Sequence, residues 1–108
     1  MKMTNTYYPD KWELVKIKGK DMEFYKIFAS FYGGFTNGDS WKISSGVIEV
    51  IEHEYHYSFI NSSGSIYECN KDATGMSLYS SGIYETLKGN MELSGFSMET
   101  IDVKEYFA

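Results

Sequence analysis

The chain has 108 residues, 43% hydrophobic and 23% charged, with a single proline, a composition that supports one buried core and excludes a disordered or collagen-like chain. Ten lysines and no arginine stand against fifteen carboxylates, for a net charge of −5. Nucleic acid is therefore excluded as a partner, because the guanidinium fork is missing and the net field repels a polyanion.

One domain over residues 1–108 is expected, with 1–10 a flexible lead-in. Met1–Tyr8 carries no apolar signal segment, and no run approaches the roughly 20 apolar residues of a membrane span. Trp12–Lys18 and Phe24–Tyr32 are rich in β-branched and aromatic residues and are separated by Gly19-Lys20-Asp21, which predicts a β-hairpin. Its second strand places Tyr25, Ile27, Ala29 and Phe31 on one face and Phe24, Lys26, Phe28 and Ser30 on the other. Gly33–Ser40 packs three glycines with Asn and Asp into eight residues and reads as a loop.

Strand signals return in Val47–Ile51, Tyr55–Ile60 and Ser65–Cys69, broken by Glu52-His53-Glu54 and Asn61–Gly64, as in an antiparallel meander. Asp72, Thr74 or Ser77 caps a helix over Ser77–Lys88, with Leu78, Ile83 and Leu87 towards the sheet and Gly89 as the stop. Phe96–Phe107 is compatible with a last strand, with a helical turn at Val103–Phe107 as the alternative. The fold class is α+β: a five- to six-stranded, mostly antiparallel sheet, hairpin plus meander, packed against one helix of the C-terminal half. Ser-Ser-Gly recurs at Ser44–Gly46, Ser62–Gly64 and Ser80–Gly82. The poor match of the flanks favours turn chemistry over a structural repeat.

No constellation of residues predicts catalysis. There is no Gly-x-Ser-x-Gly elbow, and Glu68 beside Cys69 opposes thiolate formation. The lone cysteine suits a reducing cytoplasm. The densest polar group is Glu52-His53-Glu54-Tyr55-His56. Its two histidines are three apart, on opposite faces of a strand unless a turn intervenes, with no third histidine or cysteine pair beside them. It reads as a solvated hairpin tip, and no metal or cofactor is assigned.

Two groups of residues suit binding. The first is the loop with Tyr32, Gly33, Gly34, Phe35, Asp39, Ser40, Trp41 and Lys42, whose aromatics offer stacking faces and whose amides, hydroxyl and lysine can address a phosphate. The second is the acidic and aromatic set Glu49, Glu52, Glu54 and Tyr55, suited to a basic protein surface.

The order of Tyr8-Pro9-Asp10-Lys11-Trp12, Phe31-Tyr32-Gly33-Gly34, Gly38–Lys42, Ser45-Gly46-Val47, Ser63–Cys69 and Gly75-Met76-Ser77 resembles small accessory proteins of large tailed, T-even-like bacteriophages. The resemblance spans Tyr8 to Leu87, four-fifths of the chain. It implies a phage accessory protein working in the host cytoplasm, with no catalytic residue to carry over. Such proteins often resemble inhibitors of a bacterial host or defence protein, or binders that sequester a nucleotide defence signal. The expectation is a non-enzymatic binder of the first kind, with the nucleotide binder as the alternative and monomer and homodimer both open.

Overall fold

A computed structural model of the chain describes residues 5–33 and 38–107. In chain order the elements are β1 (Thr6–Tyr7), β2 (Lys11–Lys18), β3 (Glu23–Phe31), β4 (Ser40–Ile43), β5 (Val47–Glu52), β6 (His56–Asn61), β7 (Ile66–Asn70), α1 (Leu78–Leu93), β8 (Ser97–Ile101) and α2 (Val103–Phe107). The α+β class, the hairpin, the meander and the one main helix stand as expected. The single sheet does not: the strands divide into two four-stranded sheets, β4-β3-β2-β8 and β1-β7-β6-β5. Pairing is antiparallel except for β1 against β7.

The split follows from the hairpin. Alternation along β2 and β3 makes both of its faces apolar, so each needs a cover. One face presents Trp12, Leu14, Ile27 and Ala29, and these pack against Phe59, Tyr67 and Cys69 of the second sheet. The other presents Val15, Ile17 and Phe28, and these pack against Tyr84, Ile83 and Leu87 of α1 and Met98 of β8. The molecule is thus three layers: second sheet, first sheet, helix. The switch between sheets falls at Gly46, whose φ of 152° lets the chain leave β4 and enter β5,.

The first two Ser-Ser-Gly copies are turns at one end of the sheets and touch each other: Ser63 N–H donates to Ser45 Oγ at 3.1 Å, and Ser62 N–H to the Gly46 carbonyl at 2.8 Å. The third lies inside α1. There Ser80 completes a capping box with Ser77, the N-cap residue,.

The helix runs five residues past the expected Lys88, through Gly89, and stops where Gly95 takes φ 89° and Phe96 N–H bonds the Met91 carbonyl at 2.9 Å,. Leu78 points to solvent, 94% exposed, and Tyr84 takes the buried position instead. The last segment uses both expected forms: β8 pairs with β2, and α2 follows at once. No helix among the described residues is long and apolar enough to cross a membrane.

Candidate functional site

The helix and the inter-sheet core cover both faces of the first sheet and the inner face of the second. That leaves the outer face of the second sheet. On β6, Tyr57 and Phe59 face the core, so His56, Ser58 and Ile60 face outward,. Register then places Ile51 and Glu49 of β5 beside Ser58 and Ile60, and Glu68 and Ile66 of β7 on the other side of them.

The β5–β6 connection shapes the end of this face. His53 N–H donates to the His56 carbonyl at 2.9 Å, and Lys71 N–H to the Tyr55 carbonyl at 2.9 Å. This turn corrects the expectation that His53 and His56 diverge: their rings stack at 4.2 Å between centroids with 10° between planes. His56 Nε2 lies 2.8 Å from Glu68 Oε2. Ser58 Oγ donates to both Glu68 oxygens, at 2.8 and 3.0 Å, and lies 2.9 Å from His53 Nε2.

This network is not a nucleophilic triad. The acid holds the serine directly rather than the far nitrogen of a base, and Ser58 is only 7% exposed,. Cys69 is no better placed. It is fully buried in the inter-sheet core, and burial first, then the Glu68 charge, pushes its thiol pKa up,.

The four partner-facing candidates come together along β5 and its turn. Glu49 and Glu54 are exposed, and Tyr55 is 75% exposed at the tip. Glu52 is also at the surface, but its carboxylate meets Lys71 Nζ at 2.7 Å, and that lysine lies over the Tyr57 ring at 5.1 Å. Sequence reasoning missed two apolar members of the same edge, Ile51 and Ile48; the latter sits at the bulge between Val47 and Glu49 and is 64% exposed,. It also missed Glu68, because only the β6–β7 register brings that residue to the histidines.

The loop candidates are dispersed. Gly34 and Phe35 lie outside the described residues. Tyr32 is exposed, and its N–H donates to Asp10 Oδ2 at 2.8 Å. Asp39 and Ser40 are exposed. Trp41 stacks on Phe28 with 5.9 Å between centroids, on the helix side of the first sheet. Lys42, next along β4, turns to the opposite side and lies 5.1 Å from the centroid of Tyr7,. Gly33 sits at the loop base, where an added Cβ would collide with the Gly38 carbonyl.

A cleft of about 570 Å³ opens beside β4 and the paired Ser-Ser-Gly turns. Lys26, Trp41, Lys42, Ser45, Ser63 and Tyr67 are among the residues around it, and none of the described residues around it is a carboxylate. No known protein family, curated protein or solved structure matches this chain.

Proposed function

We propose that the chain is a non-enzymatic binding protein whose docking surface is the free edge of β5 with the adjoining outer face of the second sheet. The observation that carries this reading is the composition of that edge. Ile48, Ile51 and Tyr55 supply exposed apolar anchors, and Glu49 and Glu54 stand between them without ion-pair partners among the described residues. A strand edge offers unpaired backbone groups to a partner strand, aromatic and aliphatic anchors supply most of the affinity, and carboxylates select a basic surface. The partner is therefore a protein with a basic patch flanked by apolar residues. The phage resemblance makes a bacterial host or defence protein the class to search, with inhibition by occupancy as the mode of action.

The tagged protein incubated with bacterial lysate is expected to retain a discrete partner that elutes as salt rises. Ile51→Lys should abolish retention, whereas Thr86→Lys on α1, with the same added charge, should not. Retention indifferent to Ile51→Lys would move the surface elsewhere. A homodimer paired through β5 would occupy the same edge, and light scattering at two concentrations would reveal it.

A second reading has its own observation. Among the described residues, the cleft at Lys26 and Lys42 holds two lysines and several hydroxyls and no carboxylate, in a chain of net charge −5. That lining suits an anionic ligand. A nucleotide of the defence-signal type belongs there rather than in the Tyr32–Lys42 loop as a whole. Thermal shift with cyclic and linear nucleotides tests it: stabilisation lost in Lys42→Ala supports the reading, and no shift near millimolar nucleotide removes it.

A further inference from the structure

We propose that His53, His56 and Glu68 form a binding site for a zinc-type divalent ion on the outer face of the second sheet, independent of the protein-docking reading. One donor atom from each residue lies within 4.8 Å of the other two. Ligands bound at about 2.1 Å to a tetrahedral ion stand about 3.4 Å apart, so rotations that unstack the two rings and turn their in-plane lone pairs towards Glu68 close the set,. His56 Nε2 and Glu68 Oε2, at 2.8 Å, already lie inside that separation.

Three features make this more than a surface ion pair. The turn that carries His53 is held by backbone bonds at His53–His56 and Lys71–Tyr55, which keeps both histidines beside one carboxylate. Glu68 comes from a separate strand and is held by Ser58 Oγ, which is buried beneath the cluster. That hydroxyl is the supporting hydrogen bond that ligating carboxylates require. Beside His56 and Glu68 lies a cleft of about 320 Å³, also lined by Tyr8 and Asp10, so the fourth position belongs to water or to a donor from a bound molecule.

The donor set selects the metal. Two imidazole nitrogens with one carboxylate oxygen suit zinc, cobalt, nickel or copper, whereas magnesium and calcium require oxygen-rich shells. On binding, each ligating nitrogen presents a lone pair. Each neutral imidazole keeps its N–H on the ring nitrogen that does not ligate, and the ion takes the place of the hydrogen now between His56 Nε2 and Glu68.

The test is isothermal titration of the intact protein with zinc chloride, with cobalt chloride followed by its visible absorption as a second probe. The expected result is one ion per chain, a rise in melting temperature, and the absorption of a low-symmetry nitrogen–oxygen cobalt site. His53→Ala and His56→Ala should each weaken zinc binding at least tenfold, and magnesium chloride should not displace the zinc. Glu85→Gln, an exposed carboxylate on α1, should change nothing. His53 is exposed in a turn, so its variant keeps the fold and the test does not hinge on stability. No heat and no thermal shift with zinc or cobalt, binding unchanged in the His53→Ala/His56→Ala double variant, or displacement by magnesium would each overturn the proposal.

Discussion

Ser30 Oγ donates to Ser80 Oγ across 2.7 Å in a buried contact between β3 and the first turn of α1. The same Ser80 oxygen accepts from Ser77 N–H at 2.9 Å, while Ser80 N–H donates to Ser77 Oγ at 3.1 Å. One side chain therefore caps the helix and anchors it to the sheet. Ser80→Ala strands a buried hydroxyl and an amide together, so it should cost about 2 kcal/mol, whereas Ser77→Ala should cost about 1 kcal/mol as an ordinary lost cap. Urea unfolding of both variants checks the order. Equal losses would mean that the bond to Ser30 contributes nothing.

Tyr84 fills the helix-side core, yet its hydroxyl has no hydrogen-bond partner among the described residues. Burial, with a contribution from nearby carboxylates, pushes its pKa up to about 12. Tyr84→Phe removes an unpaired polar atom while keeping the ring against Phe28. It should leave stability unchanged or raise it by about 1 kcal/mol. A loss above 1 kcal/mol by urea unfolding would show that the hydroxyl is satisfied in solution.

Alkaline pH should unfold the protein through its buried acids. Tyr67, like Tyr84, is raised to about 12, and Cys69 is raised as well, each chiefly by burial. In the unfolded chain these groups ionise near 10 and 8.5. The folded state therefore keeps protons that the unfolded state sheds, and stability is full below about pH 8.5 and falls as pH rises towards 12. Each tyrosine contributes on the order of 2 kcal/mol to that loss. Denaturant midpoints at pH 7, 9 and 10.5 give the slope, and a flat profile would contradict the burial of these groups. The same burial predicts that native Cys69 resists alkylation at pH 8 and reacts only on unfolding.

Much of the architecture was legible because it rests on local chemistry. The alternation of Tyr25, Ile27, Ala29 and Phe31 set one face of β3, and Ser77 marked the helix start. Gly89 misled as a stop because packing of Ile83, Leu87 and Met91 against the first sheet carries the helix past it,. The two-sheet split was hidden for a different reason: period two reports which residues share a face and says nothing of what covers it. Ser44–Gly46 looked like any other turn, although it is where the chain changes sheets.

The candidate site was legible in parts. Glu49, Glu52, Glu54 and Tyr55 fall within seven residues of one another, so one hairpin collects them. His53 and His56 also lie in that hairpin, but their convergence depends on a turn geometry that no glycine or proline announces. Glu68 is a register partner of Ser58 across β6–β7, and register is invisible until strands are paired.

Site-specific photocrosslinking locates the docking surface proposed at the β5 edge. A photoreactive phenylalanine derivative replaces Tyr55 at the tip of the turn or, as a control, Tyr79 on α1, both exposed in the free chain. Each protein is then irradiated in bacterial lysate. The prediction is one covalent adduct from position 55 that disappears at high salt or on Ile51→Lys, and none from position 79. An adduct from position 79 with none from 55 would contradict the account.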